Sequence, residues 1–300
     1  MRRAPLSAHR LESFDGTEIA FYRTGLPDGP TMILCNGLGG NMVVWRRLIE
    51  HFSPRFRILC WDYRGLYGSG PAGTPDAYAI ADHARDLVRL IEHERVSDPI
   101  LVGWSMGVQV SLALHVTHPE LPRALVAVHG TQGHALTTAF DSPLTERIAP
   151  AIFAAMRRIG RGLENAGPPL ARSPLVIGGL AWAGQRLGVV APSLDTDAFS
   201  ELAEEWVQID MSAYAEIFQQ LDRHAAWDLL PEISTPTLVI AGAADRFTPA
   251  HLSVRMANEM PDAVLRTVEG ATHFGLLEYP DEIAAHIDDY LAQHRDIALG

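Results

Sequence analysis

A serine flanked by glycines is the first group in this sequence that could do chemistry. It stands in the run Gly103-Trp104-Ser105-Met106-Gly107, with an apolar segment before it and a helix-like segment after it. A tight strand–turn–helix elbow requires glycines two residues before and after the serine, because side chains there would collide. The run also fits a glycine-rich turn with an inert serine, but its position between a strand and a helix favours Ser105 as a nucleophile.

A serine hydroxyl becomes a nucleophile when a base takes its proton, and the base needs an orienting acid. Among 13 histidines, His273 stands out because it follows the predicted strand Ala263–Val268 in a loop. Asp245 likewise follows a predicted strand at residues 236–241. Parallel sheets bind ligands at the carboxyl ends of their strands. We therefore predict that His273 is the base and that Asp245 orients it.

These polar residues also have structural interpretations. Asp245 could cap the helix that starts near Pro249, but Thr248 is better placed for that role and we expect it to cap the helix. His115 and His118 have the i, i+3 spacing of some metal sites, but no third ligand is evident. No metal site is predicted.

The negative oxygen of a tetrahedral intermediate needs two backbone donors. The amide of Met106, directly after the nucleophile, is predicted to be one of them. The loop after the strand Thr31–Cys35 reads Asn36-Gly37-Leu38-Gly39-Gly40. We predict the Leu38 amide as the second donor. The same glycines could cradle a phosphate, but the loop lacks the lysine and the spacing of nucleotide-binding loops.

Side chains beside these groups are predicted to line a substrate pocket. Trp182 belongs to an apolar segment that also holds Leu175, Val176, Ile177 and Leu180. Packing within a cap would explain this segment equally well. The predicted pocket residues are Asn36, Trp104, His129, Trp182 and Phe274.

The elements that must position these groups alternate between strand and helix up to about residue 130 and again from about residue 231. Helices are expected, for example, at residues 41–52 and 78–94. This alternation predicts an α/β fold, a mostly parallel sheet with helices on both faces. Residues 131–230 lack strand runs and contain helix-like pieces at 144–158, 197–207 and 213–222. We therefore predict a helical cap at 131–230, inserted into a core formed by residues 1–130 and 231–300.

Together these motifs resemble the α/β-hydrolase fold superfamily, in its capped, esterase-like branch. The likeness covers about residues 9–130 and 231–295. It rests on the loop at 36–40, the run Asp62-Tyr63-Arg64-Gly65, the Ser105 elbow, and the loops of Asp245 and His273. The order serine, acid, histidine is that of the superfamily. The resemblance implies an eight-stranded sheet whose second strand is antiparallel, no cofactor, and a pocket between core and cap.

The chain departs from the family pattern at two loops. Asn36-Gly37 stands where relatives usually carry His-Gly, so the local hydrogen bonding is expected to differ although the donor is backbone. Tyr67 stands where relatives usually carry glycine, and we expect it to reshape a loop near the pocket mouth. Ser105 itself separates the chain from epoxide hydrolases and haloalkane dehalogenases, which resemble it but carry aspartate at the elbow.

Composition restricts the partners. A net charge of −12 disfavours nucleic acid, because phosphates would be repelled. No apolar run reaches the roughly 20 residues of a membrane span, so no stable membrane insertion is expected. The basic residues 1–10 lack the apolar stretch of a secretory signal, and we expect a cytoplasmic protein. Cys35 and Cys60 are expected to be buried, reduced thiols. A homodimer is compatible with the sequence.

The predicted function is hydrolysis of an ester, thioester or lactone of a small, partly apolar substrate through an acyl-enzyme, without a cofactor. Three alternatives share the same scaffold: a hydrolase of carbon–carbon bonds in β-diketone-like substrates, a cofactor-free perhydrolase or haloperoxidase, and a ligand receptor with little turnover. Fold alone does not separate them.

Overall fold

The computed structural model describes residues 4–141 and 174–294, together with residues 147, 148, 151 and 154. Most of the helix predicted at 144–158 therefore lies outside the described residues. The side chains of Leu175, Val176, Ile177 and Leu180 lie outside them as well.

In the described part of the chain, eight strands form one sheet in the order β1-β2-β4-β3-β5-β6-β7-β8. Strand β2 pairs antiparallel with both β1 and β4, and the other neighbours pair in parallel. The predicted antiparallel second strand is thereby confirmed. The strands are β1 Ala4–Glu12, β2 Glu18–Gly25, β3 Thr31–Cys35, β4 Arg57–Trp61, β5 Ile100–Trp104, β6 Ala124–Val128, β7 Thr237–Gly242 and β8 Ala263–Val268.

The central strands are short apolar runs without polar alternation. Strands β3, β5 and β6 are buried at every position. Continuous burial of this kind is typical of parallel strands with helices on both faces. Because the strands themselves are apolar, side chains that could take part in a reaction lie in the loops that follow their carboxyl ends.

Helices cover both faces of the sheet. On one face Met32 and Leu34 belong to a core cluster with the helices at 46–52 and 280–293. On the other face Ile33 and Cys35 belong to a cluster with the helices at 80–93, 106–117 and 250–259. The predicted α/β architecture is confirmed. The helices are α1 Arg46–Phe52, α2 Ile80–His93, α3 Met106–Thr117, α4 Pro174–Arg186, α5 Thr196–Trp206, α6 Met211–Arg223, α7 Ala250–Glu259, α8 Gly275–Glu278 and α9 Pro280–Gln293.

The first helix starts later than the sequence predicts. The Oδ1 atom of Asn41 accepts a hydrogen bond from the backbone N–H of Val43 at 2.9 Å. Short polar side chains that bond the backbone two residues on favour a turn over a helix. Residues 42–45 accordingly form turns, and α1 begins at Arg46.

Between β6 and β7 the described residues form helices and contribute no strand to the sheet. Helices α5 and α6 match the pieces predicted at 197–207 and 213–222. Each starts directly after an aspartate, Asp195 or Asp210, whose carboxylate accepts two backbone N–H groups of the first turn. These acids are ordinary N-caps, because they pair the orphan donors of the helix end.

Cys35 and Cys60 are unpaired and buried on the neighbouring strands β3 and β4, as predicted. Burial raises the pKa of the Cys35 thiol to about 12. No helix within the described ranges is long and apolar enough to cross a bilayer.

A buried ion pair fixes the loop after β4. The Arg64 side chain is fully buried and donates to both carboxylate oxygens of Asp86 on α2, at 2.8 and 2.6 Å. It also donates to Asp15, in the turn between β1 and β2, at 3.0 Å. One guanidinium thus joins the β1–β2 hairpin, the loop after β4 and α2.

Arg64→Met should lower the free energy of unfolding by about 3–5 kcal/mol, because it leaves buried carboxylates without their cation. Urea denaturation would measure the change. Arg10→Met is the matched control, since the Arg10–Glu18 pair is more than half exposed and should contribute less than about 1 kcal/mol. Equal losses in the two variants would contradict this account.

Candidate active site

Ser105 lies at a sharp turn between β5 and α3. Its backbone has φ 54° and ψ −115°, a conformation that residues other than glycine rarely adopt. A Cβ on Gly107 would lie 2.0 Å from the carbonyl oxygen of Cys35, and a Cβ on Gly103 would lie 2.6 Å from the backbone of Gly107. Gly107 is therefore required for the turn to pack against β3, and Gly103 for β5 to pack against the start of α3.

The side chains of Ser105, His273 and Asp245 meet at the carboxyl edge of the sheet. His273 Nε2 lies 2.9 Å from Ser105 Oγ, and His273 Nδ1 lies 2.9 Å from Asp245 Oδ2. Asp245 is buried, the His273 side chain is 12% exposed, and Ser105 is half-buried. A hydroxyl in contact with an imidazole that is itself held by a carboxylate can pass its proton to that imidazole.

The Asp245 carboxylate is surrounded by donors. Its Oδ1 atom accepts the backbone N–H groups of Phe247 and Thr248 at 2.8 and 2.9 Å, and its Oδ2 atom accepts the Thr248 hydroxyl at 2.7 Å. Burial by itself would raise the pKa of the carboxyl. The imidazoles of His273 and His129 outweigh burial and hold the pKa of Asp245 well below its usual range.

The expectation that Thr248 caps the following helix is wrong. The N-cap position of α7 is Pro249, and no side chain caps it. The Thr248 hydroxyl donates instead to Asp245, because that buried charge is the stronger acceptor.

The predicted oxyanion donors stand on two adjoining segments. Met106 is the first residue of α3, and half-buried Leu38 lies in the loop after β3. Within the described ranges, neither amide donates to a protein acceptor. Gly107 packs against the backbone of Cys35 and Asn36, which brings the start of the loop against the start of the helix.

Asn36 is not a pocket residue. Its side-chain amide donates to the carbonyl of Trp61 at 2.7 Å and accepts from the indole N–H of Trp45 at 2.7 Å. The Tyr63 hydroxyl donates to the Asn36 carbonyl at 2.6 Å. Asn36 is fully buried. It anchors the loop to the sheet because its side-chain amide can donate one hydrogen bond and accept another.

Tyr67 holds the same loop from another side. Its hydroxyl donates to the carbonyl of Gly39 at 2.5 Å, and its backbone takes the left-handed conformation, with φ 49°. On the opposite side, a Cβ on Gly39 would lie 2.8 Å from Trp206 Nε1 at the end of α5. The tyrosine at this glycine position thus adds a hydrogen bond to the loop of Leu38.

Trp104 is also part of the scaffold of the site. It is 4% exposed, and its indole N–H donates to the carbonyl of His273 at 2.9 Å. Added Cβ atoms on Gly37 and Gly40 would lie 2.6 and 2.7 Å from its ring. The indole therefore fills the space between the Leu38 loop and the His273 loop.

Two other predicted pocket residues take different positions. Phe274 is half-buried and packs edge-on against Phe199 of α5, with ring centroids 5.8 Å apart. Trp182 is 62% exposed, and the guanidinium carbon of Arg186 lies 5.4 Å from its ring. The structure places Trp182 at the surface of α4, with its ring against a neighbour on its own helix.

The remaining predicted pocket residue, His129, is fully buried beside the acid. Its Nδ1 atom lies 3.6 Å from Asp245 Oδ2. Its side chain is shielded from solvent and lies against the Asp245 carboxylate.

Glu278 is a site residue that sequence reasoning missed. This buried carboxylate accepts the backbone N–H and the hydroxyl of Thr272 at 2.8 and 2.7 Å. It also accepts the backbone N–H of Ala191 at 2.7 Å. An acid at the end of the apolar run Gly275-Leu276-Leu277 was the available signal, since a buried carboxylate needs partners. Glu278 fixes the residue next to His273.

Known proteins resemble this chain along most of its length. The magnesium-chelatase 30 kDa subunit of Rhodobacter capsulatus is 27% identical, over 82% of each chain. A Stutzerimonas stutzeri protein named "Putative carbamate hydrolase RutD" is 26% identical, over 89% of this chain and 93% of its own. The solved structure of an Exiguobacterium antarcticum esterase superposes with a TM-score of 0.77 at 18% identity, covering 95% of this chain and all of the esterase.

The esterase supports the fold alone at that level of identity. The signature of the alpha/beta hydrolase fold, by contrast, matches residues 30–280, which include the elbow and the loops of Asp245 and His273. This chain therefore belongs to the α/β hydrolase fold family.

Proposed function

We propose that the protein is a serine hydrolase that cleaves an ester, thioester or lactone of a small, partly apolar substrate through an acyl-enzyme. The observation that carries this proposal is the contact of His273 with both Ser105 Oγ and Asp245 Oδ2, each at 2.9 Å. The name of a similar protein, "Putative carbamate hydrolase RutD", supports hydrolysis of acyl bonds in general.

In the proposed reaction, His273 takes the proton of Ser105 while Oγ attacks the substrate carbonyl. The amides of Leu38 and Met106 then donate to the developing oxyanion. His273 returns the proton to the leaving group and later activates the water that hydrolyses the acyl-enzyme. The ionised Asp245 holds the Nδ1 proton throughout and stabilises the charged imidazole.

We also propose that residues 131–230 act as a cap over a core formed by 1–130 and 231–300. Contacts between the two parts support this division. Phe199 packs on Phe274, the backbone N–H of Asp195 donates to the carbonyl of Leu277 at 2.8 Å, and Glu205 accepts from Asn41. These contacts lie beside the His273 loop and the Leu38 loop, so the substrate would bind between cap and core. The unpaired thiols support a reducing compartment, for which we propose the cytoplasm.

A low-turnover ligand receptor is the second candidate. It is favoured by the relative named as a magnesium-chelatase subunit and not as a hydrolase. Such a protein would keep the pocket while the reaction at Ser105 was slow. Carbon–carbon hydrolysis and perhydrolysis use the same three residues and differ from the proposal in substrate.

Ser105→Ala should abolish covalent labelling by a fluorophosphonate and lower kcat on p-nitrophenyl esters by about 10⁴-fold or more, because the nucleophile is lost. Mass spectrometry locates the label, and esters of graded chain length define the acyl preference.

Ser200→Ala is the control, since the Ser200 hydroxyl bonds within α5 to the carbonyl of Thr196. Labelling that persists in Ser105→Ala would contradict the assignment. Tight binding without turnover or labelling would favour the receptor, and preference for a β-diketone over all esters would favour carbon–carbon cleavage.

Trp104→Phe should lower kcat about tenfold and leave KM nearly unchanged, because it removes the donor to the His273 carbonyl and keeps most of the ring. Steady-state kinetics on a p-nitrophenyl ester would measure both constants. Trp182→Phe, on the exposed face of α4, should change neither. A raised KM with an unchanged kcat would instead make Trp104 a substrate-contacting residue.

A further inference from the structure

A second histidine lies directly behind the proposed catalytic residues. His129 follows β6, has a positive φ of 46°, and is fully buried. A Cβ on Gly242 would lie 2.6 Å from its Cε1 atom, and a Cβ on Gly275 would lie 2.5 Å from its Nε2 atom. Glycines at the end of β7 and at the start of α8 therefore leave room for this ring, because any side chain at either position would displace it.

The ring nitrogens of His129 have no hydrogen-bond partner within the described ranges, although both are shielded from solvent. Burying an unpaired polar atom is costly. The nearest charge is Asp245 Oδ2, 3.6 Å from Nδ1. That oxygen already accepts the Thr248 hydroxyl and contacts His273 Nδ1, so its two lone pairs are engaged. The contact with His129 is correspondingly long.

The ionisable groups on the elements beside the ring come from two loops and from α8. Asp245 approaches from the loop after β7, and His273 lies on the other side of that carboxylate, on the loop after β8. On α8, Glu278 is bonded to Thr272 and Ala191. The charge that a proton on His129 Nδ1 faces is thus that of Asp245.

We propose that His129 is a positioning residue that shares the Asp245 carboxylate with His273. With its proton on Nδ1, His129 directs an N–H dipole at Asp245 Oδ2 and offsets part of its negative charge. The carboxylate then attracts the charged form of His273 less strongly. A less tightly held charge on His273 leaves the ring available to accept the proton of Ser105. This role rests on the proposed function of the three residues, but the hydrogen bond that it alters can be observed without turnover.

The wild-type protein gives the first test. In protein labelled with ¹⁵N-histidine, the nitrogen shifts of His129 should be those of a neutral ring protonated on Nδ1, with assignment by the His129→Asn spectrum. A ring protonated on Nε2 alone would present a lone pair to the carboxylate and would overturn the proposal.

The second test compares two substitutions. His129→Leu removes the donor, so the proton between His273 and Asp245 should resonate further downfield, because the carboxylate becomes a stronger acceptor. The acid limb of kcat/KM on p-nitrophenyl butyrate should move up by about half a pH unit or more. His129→Asn keeps an N–H near the position of Nδ1 and tolerates positive φ, so it should leave the resonance and the limb near wild type.

Two further variants calibrate the readout. Thr248→Val removes the closer donor to Oδ2 and should move the resonance and the limb in the same direction as His129→Leu. His115→Leu alters a buried histidine that bonds Thr235 at the other end of α3, and it should move neither. A response to Thr248→Val without a response to His129→Leu, in a folded variant, would overturn the proposal.

The outcomes for the two proposals are separable. If the wild type shows no labelling and no turnover, the hydrolase proposal fails while the resonance and the nitrogen shifts still test His129. If His129→Leu does not fold, the nitrogen shifts of the wild type and the His129→Asn variant decide the question.

Discussion

The arrangement of the site depends on one buried negative charge. A carboxylate removed from water is stable when donors replace the lost hydration. Asp245 receives two backbone N–H groups and the Thr248 hydroxyl from its own loop, and His273 completes the set from the next loop. Pairing that charge brings the loops after β7 and β8 together, and the imidazole so held reaches Ser105 on the elbow after β5.

The Leu38 loop is held in a different manner, by contacts with its backbone. Asn36 anchors it to the sheet, Trp104 fills the space beneath Gly37 and Gly40, and Tyr67 bonds the carbonyl of Gly39. Asn36 and Tyr67 are also the positions at which the sequence departs from the family pattern. Both departures therefore act on the same loop, each by a hydrogen bond that leaves the predicted donor amide of Leu38 available.

The architecture and the positions of the three central residues could be predicted because they follow from local patterns. Short apolar runs identify β3, β5 and β6, and the carboxyl ends of parallel strands share one edge of the sheet. Side-chain direction could not be predicted in this way. Trp104 sits next to the serine in sequence and yet points beneath the loop, where its indole N–H finds the His273 carbonyl.

Long-range polar partners were equally inaccessible to local patterns. Glu278 joins Thr272 to Ala191, a residue 87 positions away, and sequence spacing does not indicate such a pairing. Trp182 shows another limit of local patterns, since it belongs to an apolar helix and its side chain is mostly exposed. Buried positions are mostly apolar, but an apolar residue is not always buried.

The thiols of Cys35 and Cys60 have a practical consequence for studies of this fold. They lie on adjacent central strands, shielded from solvent, and burial keeps both in the unreactive protonated form. An alkylating reagent can modify them after β3 and β4 have opened, and that opening disrupts the middle of the sheet. The rate at which these thiols are alkylated in the native protein therefore measures how often the middle of the sheet opens. The measurement needs no denaturant and does not depend on Ser105.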